Sequence, residues 1–393
     1  MVFEENLFLM EELKIAVVSD LHCNHSRSEG GIDTWLLSDN MRRPVHQHPV
    51  QSLIDLIKKD ELKVDLLICP GDISNRTDPQ GLITGWSFLE ELKVSFYASH
   101  LIATLGNHDV DSRGIHNKYD FLNMPRNLKD NFPFEFPLER KSFIADSFCI
   151  IDLGEILIFN FNSVHSHTNK LSAEESIISD DILENIKNEL GYIKKEYKYK
   201  IAITHHHPIK HSNVGFKYKD KDSIEKGDKL IDILIEFNFQ IFIHGHKHEP
   251  KLTIYNGLPI FASGSISSHM NIMETNSKNN FHIVELAPSE SRGIIRSWDY
   301  TYGVGWSPST SKIKSEIGFG AKAGVKDYSK MILDHFIFHK LERMNNVDFI
   351  ETFPDFKFFP PIDKDKLFIE LQANFEIVQE YSSGLIKEII KTT

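Results

Sequence analysis

Asp, Asn and His recur in five short clusters: Ser19-Asp20-Leu21-His22, Gly71-Asp72, Gly106-Asn107-His108-Asp109, His205-His206-His207-Pro208 and Gly245-His246-Lys247-His248. None of them contains a cysteine. Carboxylate, amide and imidazole donors suit hard or borderline divalent cations rather than soft ones. Two such cations about 3.5–4 Å apart can generate a nucleophile and neutralise charge when a phosphate ester is hydrolysed. A single Gly-Asp is commonplace, so the weight rests on the set.

The elements that must position these residues are legible beside them. Each cluster closes a short apolar run: Lys14–Val18, Val64–Cys69, His100–Leu105, Lys200–Thr204 and Gln240–Ile243. Runs of that length bounded by Gly, Pro or charge read as buried strands. Every candidate ligand then falls just past the C-terminal end of a strand, where open α/β sheets place their sites. One such cluster alone is ordinarily a hydrogen-bonded surface loop, but that reading does not explain five at the same end of five strands. Helices are predicted from Pro49, with Val50, Leu53, Ile54 and Ile57 on one face, over 82–97, over Ser179–Lys195 capped by Asp180 or Asp181, and over Lys229–Phe237. Ser142–Ala145, Cys149–Leu153 and Ile156–Phe161 read as strands of a second sheet, and Leu258–Ser263, Phe281–Leu286 and Gly293–Tyr300 as its continuation. The loop Asn24–His48 carries Arg27, Trp35, Arg42, Arg43, His46 and His48. It starts directly after Asp20-x-His22, so it is either the mouth of the site or a solvated excursion.

The order Asp-x-His, Gly-Asp, Gly-Asn-His-Asp, His-His-Pro, Gly-His-x-His resembles the calcineurin-like metallophosphoesterases, with all five blocks in family order across 14–248. The resemblance implies an α/β fold, a four-layer α-β-β-α sandwich of two sheets flanked by helices. It implies two divalent metal ions, manganese first, with iron, zinc or nickel as the other choices. Asp72 would bridge them, with Asp20, His22 and His248 completing one ion and Asn107, His206 and His246 the other. A hydroxide between the ions would attack phosphorus. Residues i and i+2 of an extended segment point the same way, so Asp20 with His22, and His246 with His248, would converge. Within the histidine tract the family pattern favours His206, and His205 is the alternative. The others, His205 and His207, would touch substrate or orient ligands through a second nitrogen. His108 resembles the family's catalytic histidine, which stabilises the transferring phosphoryl group or protonates the leaving oxygen. The phosphatase branch reads Gly-Asp-x-x-Asp-Arg-Gly, whereas this chain reads Gly71-Asp72-Ile73-Ser74-Asn75-Arg76-Thr77. Asn75 offers no carboxylate to an imidazolium, so either Asp109 or another acid supports His108, or His108 stays more neutral. Arg76 either grips a phosphate bidentately or pairs with Asp78 at the surface.

Composition narrows the partners. The 393 residues carry 56 acidic against 44 basic side chains, a net charge of −12. That balance opposes a broad grip on nucleic acid, which enters only as a substrate. It does not oppose a phosphate ester, because bound metals dominate the charge of a site. Cys23, Cys69 and Cys149 are scattered and odd in number, so no disulfide framework is implied. No basic start with a long apolar core opens the chain, and no run reaches the ~20 apolar residues of a membrane span. A soluble, cytoplasmic protein is expected. The organisation reads as an N-terminal extension 1–13, a catalytic domain 14–310 and a mostly helical extension 311–393. Within the last, Ile313–Lys322 reads as a linker, Asp327–Met344 as a helix, Phe349–Pro361 as irregular and Asp365–Ile390 as one or two helices. It would serve as a lid, an element of a homo-oligomer or a dock for a protein partner, or simply pack on the core. The expected function is a metal-dependent phosphohydrolase, a phosphodiesterase first, since Gly-Asn-His-Asp and His-His-Pro are similar to the small-molecule phosphodiesterase branch. Phosphomonoester or pyrophosphate hydrolysis and nuclease activity are the alternatives on the same site. A non-catalytic scaffold of this fold is a distant alternative that predicts lost ligands, and none is missing.

Overall fold

The structure is a computed structural model that describes residues 12–26, 34–39, 42–114, 116, 120–127, 131–167, 176–210, 223–269, 278–311, 313–379 and 386–392. The expected N-terminal extension lies almost wholly outside these. The chain divides into two compact units, residues 1–291 with 296–315, and residues 292–295 with 316–393.

The first unit is built on strands β1 (Leu13–Val17), β2 (Leu66–Cys69), β3 (His100–Ala103), β4 (Phe148–Asp152), β5 (Ile156–Phe161), β6 (Tyr199–Ile203), β7 (Ile241–His244), β8 (Lys251–Tyr255), β9 (Leu258–Ala262), β10 (Asn279–Leu286), β11 (Gly293–Thr301) and β12 (Gly305–Pro308). They form two sheets, one ordered β12-β11-β10-β1-β2-β3 and the other β4-β5-β6-β7-β9-β8. β1, β2 and β3 are parallel, as are β5, β6, β7 and β9. Parallel strands covered on both faces need unbroken apolar sequence, which is why β2 reads LLIC and all four residues are buried. The sheets meet where Asn160 Nδ2 donates to Ala103 O at 2.9 Å and Thr104 Oγ1 to Phe161 O at 3.3 Å.

The helices are α1 (Pro49–Lys59), α2 (Pro79–Ser95), α3 (Asn123–Asn127), α4 (Pro137–Ala145), α5 (Asp180–Tyr192) and α6 (Gly227–Glu236). α1 buries Val50, Leu53, Ile54 and Ile57 as its spacing predicts, and α2 lies against β2 and β3. α5 and α6 cover the second sheet through Leu183, Ile186, Leu190, Leu230, Ile231 and Leu234. The result is the expected sandwich, except that β10 and β11, expected to continue the second sheet, lie in the first, with β10 paired to β1. α5 is capped by Ser179, whose hydroxyl accepts from Ile182 N–H at 3.2 Å, one residue earlier than Asp180 or Asp181. Ser142–Ala145 is not a strand: it ends α4, which starts at Pro137, where a missing N–H costs a helix nothing.

The second unit holds β13 (Glu316–Phe319), α7 (Val325–Phe338), β14 (Arg343–Asn345), α8 (Asn346–Thr352), α9 (Pro361–Leu371), β15 (Phe375–Gln379) and β16 (Ile386–Lys391). Helices outnumber strands by residue among its named elements, but the expected helical run to Ile390 ends at Leu371. β15 and β16 then pair antiparallel, with β14 on the other side of β16. The sequence there, FEIVQ and IKEIIK, does not alternate with the period of a strand, and the pairing of the two segments sets their conformation. Part of the expected linker is the strand β13. Tyr328, Phe336, Phe349, Phe353, Phe356, Phe359 and Leu367 form a core within this unit, while Phe338 is 81% exposed.

Candidate metal centre

Strand ends place the polar residues. Asp20 lies three residues beyond β1, Asp72 three beyond β2, Asn107 four beyond β3, His205 two beyond β6 and His246 two beyond β7. The turns there are not extended. Asp20, His22, Asp72, His246 and His248 have φ of 51°, 46°, 51°, 79° and 54°. Asp20 and His22 therefore converge, and His246 and His248 reach two neighbouring donor groups, through left-handed turns and not through the alternation of a strand. Such backbone is costly for a side-chain-bearing residue and persists where the surroundings enforce it. The motif glycines follow from close approach. A Cβ at Gly106 would sit 2.1 Å from Asp72 Oδ1, and one at Gly245 2.6 Å from Asp20 Oδ2.

Two groups of donor atoms result, each within 4.8 Å internally: Asp20, His22, Asp72 and His248, and Asp72, His205 and His246. In the first, His22 Nε2 and His248 Nε2 face each other at 2.8 Å, and Asp20 Oδ1 lies 3.3 Å from His248 Nε2. In the second, His205 Nε2 is 3.4 Å from Asp72 Oδ2, 3.1 Å from Asn107 Oδ1 and 3.2 Å from His246 Nδ1. His246 Nδ1 is itself 3.0 Å from Asn107 Oδ1. Asp72 belongs to both groups, and its Oδ1 accepts from His108 N–H at 2.8 Å.

The donor chemistry fits cations. His205 Nδ1 donates to the Pro70 carbonyl at 2.8 Å, because a carbonyl only accepts. A neutral His205 ring then turns an Nε2 lone pair toward the oxygens of Asp72 and Asn107. Lone pairs converging in a buried space repel unless a positive charge lies among them. Titration reflects the same demand. Burial pulls His205 down, yet Asp72 and Asp20 outweigh it and push it up to about 9. Burial would raise Asp72, but His205 and His108 hold its carboxyl well below the usual range. Burial keeps His22 and His246 well below the ordinary histidine value, hence neutral and able to ligate.

The histidine tract is sorted by its contacts. The structure brings His205 to Asp72, where His206 was expected. His206 turns its Nδ1 to Ser163 Oγ at 2.8 Å, and its ring packs on His246 with centroids 4.4 Å apart. His205 lies nearer the end of β6, which aims it at the strand-end cluster. His207 is buried, its ring 6.0 Å from that of His246. Ser163 was not anticipated, and a lone serine after a strand carries no signal. Ser19, which opens the first cluster, donates its hydroxyl to Asp20 Oδ2 at 2.6 Å.

His108 stands edge-on to His22, with ring centroids 4.7 Å apart. Its Nδ1 lies 3.2 Å from Arg76 N–H and 3.2 Å from Asn75 Oδ1. Asp109 does not support it: Oδ1 accepts from Ser74 N–H at 2.7 Å and Oδ2 from Gly106 N–H at 2.9 Å. That carboxylate ties the Asp72 turn to the Asn107 turn, and burial raises it to about 7. Burial lowers His108. The Arg76 side chain is exposed. Asp78 caps α2 by accepting from Gly81 N–H at 2.6 Å. Arg42, which a basic groove would need, is held by Glu91 in two bonds of 2.5 and 2.8 Å.

The model of the family described as calcineurin-like phosphoesterase matches residues 13–250, well over half of the chain. The chain belongs to the calcineurin-like phosphoesterase family. It is thus a phosphate-ester hydrolase with an Asp/His cluster suited to a dinuclear divalent centre. No curated protein matches it. Solved structures similar to it include GAP50, the anchor in the inner membrane complex of Plasmodium, at 12% identity and TM-score 0.41, covering 75% of this chain and 88% of that one. The purple acid phosphatase PPD1 of yellow lupin seeds is 14% identical at TM-score 0.46, covering 75% of this chain and 52% of the lupin enzyme. Vps29 of Entamoeba histolytica, complexed with zinc, is 11% identical at TM-score 0.33, covering 75% and 96%. At those values they add nothing to the family assignment. Among the described residues, no helix is long and apolar enough to cross a membrane.

Proposed function

We propose that this phosphoesterase is a cytoplasmic phosphodiesterase with two divalent ions, manganese first, sharing Asp72. The observation that carries the reading is the shared carboxylate between two convergent donor groups. Asp20, His22 and His248 complete one ion, and Asn107, His205 and His246 the other. When bound, the ions supply a nucleophile at neutral pH and neutralise the charge that develops on phosphorus.

The chain's own residues do the rest. Arg76 N–H donates to His108 Nδ1, which leaves the proton of a neutral ring on Nε2. His108 therefore stands as a donor to the phosphoryl group or leaving oxygen. Asn75, whose Oδ1 lies 3.2 Å from the same Nδ1, brings no carboxylate charge that would raise the ring's pKa. His206 and His207 stay outside the ligand set, and Arg76 is the candidate phosphate contact. Among the described residues the second unit holds no member of either donor group, and it serves assembly.

Diester preference is supported by Gly106-Asn107-His108-Asp109 and His206-His207-Pro208, on the resemblance given above. Metal-stripped protein reloaded with manganese, iron, zinc or nickel should cleave bis(para-nitrophenyl) phosphate faster than para-nitrophenyl phosphate. A monoester rate above the diester rate with every metal overturns the diester assignment.

A further inference from the structure

The loop that follows Asp20 and His22 carries Trp35, and the metal centre gives it no role. Its ring is stacked on Tyr302, with centroids 4.2 Å and planes 21° apart, and meets His269 edge-on at 3.6 Å. Tyr302 lies in the turn between β11 and β12 and is 46% exposed. A large ring left half in water at a hairpin tip adds little to a core.

This stack is anchored to the ligand-bearing segment. Trp35 N–H donates to Ser267 O at 3.1 Å. Ser267 Oγ donates to the Leu21 carbonyl, and Thr34 Oγ1 lies 3.3 Å from the same oxygen. Leu21 sits between Asp20 and His22. Ser265 Oγ donates to the Asp20 carbonyl at 2.6 Å. The hairpin is fixed as well: Tyr300 Oη and Gly303 N–H both donate to His46 O, at 2.8 and 2.9 Å. The segment Thr34–Trp35 is thus tied through Ser267 to the carbonyl between two metal ligands, and the Trp35 ring leads from it to the half-exposed Tyr302. These rings are pre-set, so a planar partner would meet them with little ordering cost.

We infer that Tyr302, backed by Trp35, is a stacking platform for a planar aromatic substituent of the ester cleaved at the metal centre. The inference rests on the phosphoester reading of that centre and names which esters it favours. The chemistry is shared by a nucleobase and a simple aryl ring, since each offers a π-face.

The test uses full-length, metal-loaded protein and three diesters with one leaving group, para-nitrophenolate. The retained substituent is thymidine, phenyl or ethyl. Tyr302→Ala should raise KM about 10-fold for the thymidine and phenyl esters, as the loss of one base-stacking contact does. The ethyl ester and all three kcat values should stay within about twofold, a control expectation for a group that stacks without reacting. Tyr302→Phe should behave as wild type. Tyr302→Leu, which keeps bulk without a flat face, should behave as Tyr302→Ala. A response of thymidine alone identifies a nucleobase site, and a response of both identifies a general aryl site. Equal KM increases for all three esters, or none, overturn the inference. If no diester is turned over, the diester assignment fails by itself. The same comparison is then made with thymidine, phenyl and ethyl monophosphates, where the selective KM pattern supports the platform and its absence overturns it.

Discussion

The two units bury different things. Among the described residues, every buried polar or charged side chain lies between Ser19 and Ser309, and the span from 316 onward buries only apolar ones and glycine. The second unit is held by phenylalanines: Phe336 meets Phe375 edge-on at 4.8 Å, and Phe349 meets Phe356 at 5.2 Å. The first unit buries Asp20, Asp72 and three consecutive histidines. An apolar core repays burial by itself, whereas a polar cluster is kept only where partners or cations satisfy it. The contrast separates a region built for chemistry from one built for shape.

The contrast breaks most sharply at Asp72. Asp72→Asn removes the carboxylate common to both groups, so metal content should fall and hydrolysis should be nearly abolished while far-UV circular dichroism is unchanged. Full metal loading and activity in that variant would mean that the carboxylate bridges nothing. His108→Ala should keep its metals and lose roughly 10²–10⁴-fold in rate with an alkoxide leaving group. The loss should shrink with nitrophenolate, which departs without a proton. An equal loss with both points to electrostatic stabilisation instead of acid catalysis.

Phe336→Ala should act in the opposite sense. A buried phenylalanine cut to alanine costs about 3–5 kcal/mol, read as a lower denaturant midpoint for the second unit. Metal content and kcat should not move. A loss of metal would join the two units energetically and dissolve the contrast. The smallest effect concerns His282, fully buried on β10, with Nδ1 2.8 Å from Ser297 Oγ. Burial holds it down to about 3, against an ordinary value of 6.5. The neutral ring is therefore favoured in the folded state. Its contribution is complete above pH 6.5 and is lost as pH falls toward 3. Between pH 7 and pH 5 the cost is up to about 2 kcal/mol. His282→Gln should flatten the dependence of the unfolding midpoint over that interval, and an unchanged slope would rule out this group as its source.

Much of the first unit was legible because parallel strands buried on both faces leave continuous apolar runs. Leu66–Cys69 and His100–Ala103 stand where Val64–Cys69 and His100–Leu105 were read. The strand-end clusters located the centre for the same reason. The choice among His205, His206 and His207 was not legible, because chemistry at three adjacent identical residues is set by where the strand stops. Nor were the left-handed turns at Asp20, His22 and His248, which only tertiary contacts enforce. Asn75 departs from the phosphatase pattern in the sequence, but its place beside His108 Nδ1 needed coordinates. Further along, the hairpin of β15 and β16 was read as helix because its Ile and Lys residues fit a helical stripe.

The central claim is that Asp72 joins two ions and that His205, not His206, completes the second. Metal analysis by mass spectrometry of purified wild type, His205→Ala and His206→Ala tests it directly. The account predicts two equivalents in wild type, one in His205→Ala and two in His206→Ala. Two equivalents in His205→Ala together with one in His206→Ala, or a single equivalent in fully active wild type, would contradict it.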